Sequence, residues 1–406
     1  MAFSTPLEIC LVAGEASGDV HGAHLALALK SLRSDIVLWG AAGPQMLAAG
    51  VDAVVGVEDL AVMGIIDVLG QLPQLSQVFK KLRRLIEQRQ PQAVVFIDYP
   101  GFNLRLMQDI YDLGITTIYH IPPKIWAHGA KRAAILAEKS YLVTCILPFE
   151  EQLLRRKKIN AHFIGNPLRD ATAAFEPKNA RNKNSIALLP GSRRREVEKV
   201  FPILIAAFVH LQTKLGTKIM ARVPIADTLD ANYVRAIGVS AIQSLGLTES
   251  WFDKNVSLEK NANYEIMSTT NYAWVCSGTA TLETAFFGTP LSLVYITDSI
   301  TYFLAKTFLK ISYVGLVNLC ENSEVIPEFI QGAATVENLV AHALEYWHEG
   351  AKREQMISTL QKICLKFPIN ASLNCAKMII NTAHKFNQGV SVKKRLQKLG
   401  DFYETK

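Results

Sequence analysis

The segment Cys276–Pro290 (CSGTATLETAFFGTP) combines small polar residues with a single carboxylate. Ser277, Gly278 and Thr279 follow an apolar run and open a helical pattern, so they offer backbone N–H and hydroxyl groups to a phosphate at a helix N-terminus. Glu283 lies one turn further along the same helix face, where it can accept hydrogen bonds from ribose hydroxyls. A helix that only packs has little use for a glutamate among alanine, leucine and phenylalanine. The segment therefore predicts a nucleotide-binding site.

The segment Ile186–Glu198 (IALLPGSRRREVE) places arginines directly after a strand and a Pro-Gly-Ser turn. Arg193 is nearest the strand end, and its guanidinium can make bidentate hydrogen bonds to a diphosphate. A cation at a helix start is disfavoured by the helix dipole unless an anion offsets it. We therefore expect Arg193 to bind a diphosphate and to stabilise the negative charge of a diphosphate that leaves a substrate. Arg194 and Arg195 can face solvent.

The segment Val94–Leu106 (VVFIDYPGFNLRL) has a carboxylate at the end of a buried strand, directly before a Pro-Gly break. Strand-end side chains in α/β sheets face the ligand crevice. Partial burial would raise the pKa of Asp98 and suit it to accept a proton from a sugar hydroxyl, with Asn103 orienting it. The alternative is that Asp98 caps the following helix or loop.

A strand, a glycine turn and a helix follow one another in Val12–Gly22 (VAGEASGDVHG), a pattern that predicts an anion site. The residues expected to contact a phosphate or an acceptor are Gly14, Glu15, Ser17, Gly18 and Asp19, together with Asn103 of the segment Val94–Leu106. The glycine spacing differs from GxGxxG and the second strand does not end in an acid, which disfavours a dehydrogenase. The alternative is a tight turn that packs the helix on the strand, with Asp19 as a cap.

An apolar helical pattern precedes a basic stretch at Lys80–Arg84. Its members are Ile66, Val68, Leu69, Leu72 and Leu75. Apolar residues beside positive charge are typical of a helix that lies in a membrane surface or contacts an acyl chain. An ordinary buried helix is the alternative.

Two regions of alternating strands and helices must position these motifs. Apolar runs without polar alternation, separated by helical patterns, predict parallel sheets covered on both faces. We expect an α/β protein with two doubly wound, Rossmann-like lobes facing a central cleft, over residues 1–175 and 176–336. A polar linker, EPKNARNKN, spans 176–184. Residues 337–406 predict a helical segment that caps the second lobe, packs on the first, or reaches a partner subunit.

The composition limits the class of protein further. The 406 residues are 50% hydrophobic and 19% charged, yet no run reaches the ~18 apolar residues of a membrane span. No secretory signal is evident, and the six cysteines are scattered without a CxxC pair, which indicates a reduced protein. We therefore expect a cytoplasmic location. The cysteine spacing also predicts no metal site. The net charge of +7 lies in clusters that suit phosphates or anionic lipids. Nucleic acid is disfavoured because no recognition motif accompanies them.

Taken together, the motifs resemble those of the lipid-A-disaccharide synthase family, in colinear order from residue 9 to about residue 330. The matching runs are VAGEASGDVHGA, AVMGIIDVLG, IDYPGFNL, FIGNPLRD, LLPGSRRREVE, SGTATLE and YVGLVNL. The resemblance implies a GT-B-type inverting glycosyltransferase that needs no metal or other cofactor. It places the family's aspartate on Asp98, its arginine on Arg193, its nucleotide loop on Ser277–Glu283, and its YVxLxN segment on Tyr313–Asn318, with Asn318 as a UDP contact.

The same resemblance implies the substrates and partners. The donor would be UDP-2,3-diacylglucosamine and the acceptor 2,3-diacylglucosamine 1-phosphate (lipid X), giving UDP and a tetraacyl disaccharide 1-phosphate for lipid A. It implies peripheral association with the inner face of the cytoplasmic membrane and a homodimer. The alternatives are another UDP-sugar glycosyltransferase or UDP-sugar 2-epimerase of this fold, or a membrane-surface binding protein without catalysis.

Overall fold

The structure is a computed structural model that describes residues 6–60, 65–125, 129–276, 278–297 and 313–389; of residues 65–72 and 385–389 it describes the backbone. The chain divides into two compact units. The first runs to Pro167 and resumes at Pro368, and the second is Leu168–Phe367.

A seven-stranded parallel sheet forms the centre of the first unit, in the order β3-β2-β1-β4-β5-β6-β7. Its strands are β1 (Glu8–Ala13), β2 (Val37–Ala42), β3 (Asp52–Gly56), β4 (Ala93–Ile97), β5 (Thr116–His120), β6 (Leu142–Cys145) and β7 (Ala161–Phe163). Successive side chains of β1 enter opposite cores: Leu11 packs in one cluster and Val12 in the other. Both faces are therefore covered, as the apolar runs predict.

Helices cover that sheet on both sides. They are α1 (Ala16–Leu32), α2 (Pro44–Ala48), α3 (Ile65–Arg89), α4 (Pro100–Asp112), α5 (Ala130–Lys139), α6 (Pro148–Arg156) and α16 (Ala371–Gly389). The last of these packs against α1, although the two are far apart in sequence.

A six-stranded parallel sheet forms the centre of the second unit, in the order β10-β9-β8-β11-β12-β13. Its strands are β8 (Asn182–Leu189), β9 (Met220–Ile225), β10 (Val256–Lys260), β11 (Thr270–Cys276), β12 (Leu291–Tyr295) and β13 (Glu328–Ile330). Its helices are α8 (Arg194–Leu215), α9 (Ala231–Gln243), α10 (Glu249–Asn255), α11 (Asn263–Thr269), α12 (Thr279–Phe286), α13 (Leu316–Glu321), α14 (Val336–Trp347) and α15 (Ala351–Leu365). A short helix, α7 (Pro167–Ala174), includes the point along the chain, between Pro167 and Leu168, where the second unit begins.

The predicted fold class is confirmed, since two doubly wound parallel sheets and a helical C-terminal segment are present. The units divide elsewhere than at 175/176 and 336/337. Phe175 packs in the second unit, with its ring centroid 5.6 Å from that of Tyr264 and 6.0 Å from that of Phe287. Of the C-terminal helices, α14 packs on α8 and α15 on α12, whereas α16 returns to the first unit. No described helix is long and apolar enough to cross a membrane.

Candidate active site

Each sheet has one position where the strand order reverses, and ligands of doubly wound folds bind at the carboxyl edge beside it. In the first unit this position lies between β1 and β4, and in the second between β8 and β11. The loops that follow these four strands carry Gly14, Asp98, Arg193 and Gly278. The motifs singled out in the sequence thus occupy the two ligand-binding edges that this topology creates.

Asp98 follows β4 in an unusual backbone conformation. Both Asp98 and Tyr99 have φ of +46°, in the left-handed region, which costs an L-residue roughly 1–2 kcal/mol. The N–H of Asp98 donates to the carbonyl oxygen of His120 at 2.9 Å. Strained backbone of this kind persists only where the surroundings fix it, and it concentrates at functional sites.

Side chains from three elements hold the strained turn. Asn103 Nδ2 donates to the carbonyl oxygen of Asp98 at 2.8 Å, and Tyr119 Oη donates to the same oxygen at 2.7 Å. Tyr99 Oη donates to the carbonyl of Leu60 at 2.6 Å. The Tyr99 ring covers Gly14, where a Cβ would lie 2.1 Å from a ring carbon, so this position must be glycine. Asn103 therefore contacts Asp98 at its main-chain carbonyl oxygen, and its role in orienting the carboxylate stays a prediction.

The carboxyl group of Asp98 is half-buried, and this environment raises its pKa. Burial is the largest cause and the negative charge of Glu15 adds to it, while the Tyr99 N–H and the charge of Lys124 act in the opposite direction. Burial destabilises the charged form because the carboxylate loses contact with water. A carboxylate with a raised pKa is a better proton acceptor, as a general base requires.

The residues of the first glycine motif separate into two groups. Glu15 precedes α1 and is exposed, and Ser17 Oγ donates to its carboxylate at 2.7 Å. Gly14 is buried beneath the Tyr99 ring, and Gly18 is buried against Ala13 of β1 and Ile97 of β4. In this motif, Glu15 and Ser17 are therefore the polar residues that remain exposed to a ligand.

Asp19 corrects the expectation that it contacts a ligand. It is only 3% exposed, and its carboxylate accepts hydrogen bonds from three backbone N–H groups at the start of α2. These are the N–H groups of Gly43 at 2.8 Å, Gln45 at 2.9 Å and Met46 at 3.0 Å. Both oxygens are therefore used, and Asp19 caps α2, which was the alternative interpretation of the sequence.

Replacing Asp19 with alanine should lower the free energy of unfolding by about 2–4 kcal/mol, because three N–H groups lose a charged acceptor. Urea unfolding followed by circular dichroism would measure this. Asp19→Asn keeps one acceptor oxygen and should lose less. An alanine variant as stable as the parent chain would contradict the capping role.

In the second unit, Gly278 lies between β11 and α12, and Thr279 is the first residue of α12. Gly278 has φ of +134° and is exposed, which leaves the N-terminal N–H groups of α12 open to an anion. The predicted helix start at Thr279 is confirmed. Ser277, which was predicted with them, lies outside the described residues.

Glu283 lies on α12, one turn after Thr279, and is half-buried. Tyr264 Oη donates to its Oε1 at 2.9 Å. Burial raises the pKa of Glu283, and the Tyr264 hydrogen bond partly offsets this. The other carboxylate oxygen can accept hydrogen bonds from a ligand, so the geometry is compatible with the predicted ribose contact.

We expect Glu283→Gln to weaken UDP binding about 10-fold, because an amide is a poorer acceptor than a carboxylate but can still accept from Tyr264. Binding to the parent chain should also weaken as the pH falls through the raised pKa, since protonation removes the same charge. Isothermal titration calorimetry over a pH series would measure both effects. Glu249→Gln on α10 is the matched control, and equal UDP affinity in all three chains would refute the assignment.

The loop after β8 turns sharply at Gly191, which has φ of +110°. A Cβ at Gly191 would lie 2.6 Å from Glu196 Oε2, an oxygen that accepts the N–H groups of Ser192 at 3.2 Å and Arg193 at 3.3 Å. Glu196 also pairs with Arg193, with Nη1 and Oε1 2.8 Å apart. The Arg193 side chain is 81% exposed, and such surface pairs contribute roughly 0–1 kcal/mol. Because this ion pair is weak, the Arg193 guanidinium can release the Glu196 carboxylate and pair with a phosphate instead.

The structure brings the loops of Arg193 and Gly278 together. Strands β8 and β11 are paired, with Leu189 opposite Val275. At their ends, a Cβ on Gly191 would lie 3.4 Å from Cys276 Sγ. The arginine loop and the N-terminus of α12 are thus neighbours at the switch point of the second sheet, as a diphosphate site requires.

Asn318 does not join this pair of loops. It is fully buried in α13, and its amide is saturated by protein groups. Its Nδ2 donates to the carbonyl of Ile326 at 2.8 Å and to Glu328 Oε1 at 2.9 Å, while its Oδ1 accepts the N–H groups of Val325 and Ile326. The structure corrects the expected UDP contact: Asn318 instead fixes the turn before β13.

A groove beside Asp98 is the counterpart of the predicted apolar patch. It has a volume of about 590 Å³ and lies between α3 and α4. Its apolar wall consists of Leu75, Phe79, Tyr99 and Phe102, and its cations are Lys80, Arg83 and Arg105. The side chains of Ile66, Val68, Leu69 and Leu72 lie outside the described residues, although their backbone is helical. Phe79, Phe102 and Arg105 could not be predicted as a group from the sequence, because they come together only when α3 and α4 pack.

Comparison with known proteins decides the family. Residues 9–380 match the lipid-A-disaccharide synthetase family. The chain belongs to this family. The lipid-A-disaccharide synthase of Myxococcus xanthus is 33% identical over 369 residues, which cover 89% of this chain and 93% of the relative. That of Syntrophus aciditrophicus is 32% identical and covers 87% and 92%, respectively. As a member of the lipid-A-disaccharide synthase family, the chain is a glycosyltransferase.

Solved structures agree with the fold. The UDP-GlcNAc 2-epimerase of Neisseria meningitidis bound to UDP-GlcNAc superposes with a TM-score of 0.60 at 13% identity, covering 93% of this chain and all of that one. At such low identity the likeness shows the GT-B-type fold alone. The lipid-A-disaccharide synthase family and a sugar-nucleotide epimerase therefore share one architecture.

Proposed function

We propose that the chain transfers 2,3-diacylglucosamine from its UDP donor to lipid X, releasing UDP and a tetraacyl disaccharide 1-phosphate. The family match over residues 9–380 carries this proposal. It is supported by a strained, half-buried Asp98 in the first unit and by adjoining arginine and glycine loops in the second. The two units would supply the proton acceptor and the leaving-group site, respectively.

The second unit would hold the donor. The N-terminus of α12, with Ser277, Gly278 and Thr279, would bind the phosphates, and Glu283 the ribose. As the bond between the sugar C1 and the diphosphate oxygen breaks, its electron pair leaves with UDP. Arg193 is suited to neutralise that charge, because a guanidinium already in place at the leaving group stabilises the transition state more than the ground state.

The first unit would hold the acceptor. The acceptor's 6-hydroxyl oxygen attacks C1 from the face opposite the leaving diphosphate, which inverts the configuration. Its proton passes to the carboxylate of Asp98, which is ionised before the step. Glu15 and Ser17 are the remaining exposed polar groups of the glycine motif and are suited to orient the acceptor.

The groove between α3 and α4 is suited to the lipid part of that acceptor. Phe79 and Phe102 pack edge to face, with ring centroids 5.6 Å apart, beside Tyr99. Arg105 lies over the Phe79 ring at 5.4 Å and makes no ion pair with a described carboxylate. An apolar wall next to an unpaired cation suits a ligand whose acyl chain packs on the wall while its phosphate contacts the cation.

Arg105→Gln should therefore raise the KM for lipid X about 10-fold, with kcat and the donor KM unchanged, because it removes one charged phosphate contact. Steady-state kinetics with each substrate varied in turn would separate these constants. Arg84→Gln, on the exposed side of α3, is the matched control. A change in the donor KM instead would place Arg105 outside the acceptor site.

The proposal includes a membrane association and an oligomeric state, both of which the resemblance implies. One is peripheral association with the inner face of the cytoplasmic membrane, which the basic clusters and the groove favour. The other is a homodimer. Vesicle flotation with anionic and neutral lipids, and sedimentation of the detergent-free chain, would test them separately.

Mass spectrometry of the products tests the reaction itself. Incubation with UDP-2,3-diacylglucosamine and lipid X should yield the disaccharide phosphate and UDP in equal amounts. Incubation with UDP-N-acetylglucosamine alone should leave it unchanged, whereas a 2-epimerase would convert it to an epimer of the same mass; chromatography that separates the two epimers measures this arm. Tight UDP binding without any disaccharide would replace the proposal with a binding protein of this fold.

A further inference from the structure

A second cavity lies at the opposite edge of the second sheet. Its volume is about 760 Å³, and it opens at the amino ends of the strands. Asn184 lies near the start of β8, Asn271 near the start of β11, and Gly288 shortly before β12. The loops of Arg193 and Gly278 lie at the carboxyl ends of these strands, so the proposed donor site does not include this cavity.

Two arginines converge on this cavity from different elements. Arg181, half-buried before β8, donates to the carbonyls of Phe287 at 3.1 Å and Gly288 at 3.4 Å. Arg353, in the first turn of α15, is 7% exposed and donates to the carbonyls of Tyr346 at 2.6 Å and Asn271 at 3.0 Å. These contacts, with one from Arg181 Nη2 to Thr289 Oγ1 at 3.0 Å, orient both guanidinium groups, while the negative charge of Glu349 partly offsets that of Arg353.

Neither guanidinium forms an ion pair with a carboxylate of the described residues. By contrast, Arg33 and Arg222, whose side chains are 9% and 20% exposed, pair with Asp35 and Glu259. The one carboxylate that lines the cavity, Glu349, pairs with Lys183.

The lining thus carries more positive than negative charge. Three of its side chains are cations, and one is an anion. Burial lowers the pKa of Arg181 to about 10, with the charge of Arg353 adding to the effect, and burial also lowers that of Arg353. Both stay protonated near neutral pH, so two like charges line the same cavity and repel each other. A bound anion would relieve this repulsion.

We propose that this cavity is a second ligand site, which binds a phosphorylated small molecule through Arg181 and Arg353. Guanidinium groups make paired hydrogen bonds to phosphate oxygens, and the carbonyl contacts fix both groups before the ligand arrives. Trp347 and Phe287 line the same space and provide flat apolar surface for the organic part of such a molecule. The site goes beyond the proposed transfer reaction and does not depend on it.

Titration calorimetry with inorganic pyrophosphate tests this on the full chain. All chains carry Arg193→Ala, which weakens the donor site, and any pyrophosphate that still binds at the N-terminus of α12 does so equally in all of them. That background should still bind one pyrophosphate, and Arg181→Gln should weaken the binding at least 10-fold. Arg235→Gln, which removes a paired arginine elsewhere in the unit, is the control and should bind as the background does.

A second variant tests the proposal without removing a half-buried side chain, so that a loss of binding cannot be ascribed to misfolding. Gln361 is exposed on α15 and lines the cavity, so Gln361→Glu adds a carboxylate there without disturbing the core. It should weaken pyrophosphate binding at least 5-fold while the midpoint of thermal unfolding stays the same or rises. Absence of binding in the Arg193→Ala background would overturn the proposal, and so would Arg181→Gln and Gln361→Glu chains that bind pyrophosphate as tightly as that background does.

Discussion

Asp98→Asn should lower turnover about 10²–10⁴-fold, the range that a positioned general base contributes, while UDP binding stays unchanged. The amide cannot take the proton of the acceptor hydroxyl. Asparagine suits the left-handed backbone at φ +46° better than alanine does, so the variant should fold normally. Initial rates with both substrates, together with UDP calorimetry, would measure the two effects.

The acidic limb of the pH–rate profile gives an independent measurement. Because the base must be ionised, kcat/KM should fall as the pH drops through the raised pKa of Asp98. Glu15→Gln removes a charge that raises this pKa, so the limb should move to lower pH. Near-normal turnover in Asp98→Asn, or an acidic limb that survives in it, would show that another group accepts the proton.

Arg193→Ala should reduce kcat about 10²–10³-fold, comparable to the loss of one group that stabilises transition-state charge. The departing diphosphate gains negative charge as the bond breaks, so the arginine contributes most at that point. The KM for the donor should rise less than kcat falls. Arg194→Ala is the matched control, because that guanidinium lies over the Tyr233 ring at 4.7 Å rather than on the loop.

Glu196 separates the catalytic effect of Arg193 from its place at the start of α8. Glu196→Gln keeps an acceptor for the N–H groups of Ser192 and Arg193 but removes the charge that pairs with the guanidinium. It should change kcat by only a few-fold, since an exposed ion pair of this kind is weak. A loss as large as that of Arg193→Ala would point to loop structure instead of leaving-group stabilisation.

The buried strands and the helices next to them could be predicted from sequence because their signal is local. Apolar runs without alternation marked β4 and β11, and small polar residues marked the start of α12. Strand β10 was missed because its VSLEK sequence is half-exposed at the sheet edge and lacks an apolar run. The linker predicted at 176–184 overlaps β8, whose first residues are polar and exposed.

The roles of polar residues were harder to predict than their positions. Asp19 and Asn318 both lie in motifs beside the ligand-binding loops, yet each bonds backbone groups of its own unit. Short polar side chains satisfy backbone and ligand equally well, and the sequence does not show which partner is nearer. For Asp19 the partners lie 24–27 residues away, so only the packing of α2 against α1 could reveal them.

The return of α16 to the first unit has a consequence for synthesis of the chain. Ala371, Cys375, Ile379 and Ala383 are fully buried in one of the two cores of that unit, against α1. They leave the ribosome only after the whole of Leu168–Phe367. Domains generally fold as they emerge, N-terminal first. Here the first unit stays incomplete, with the apolar face that α16 covers still open, until Ala371–Gly389 has been translated.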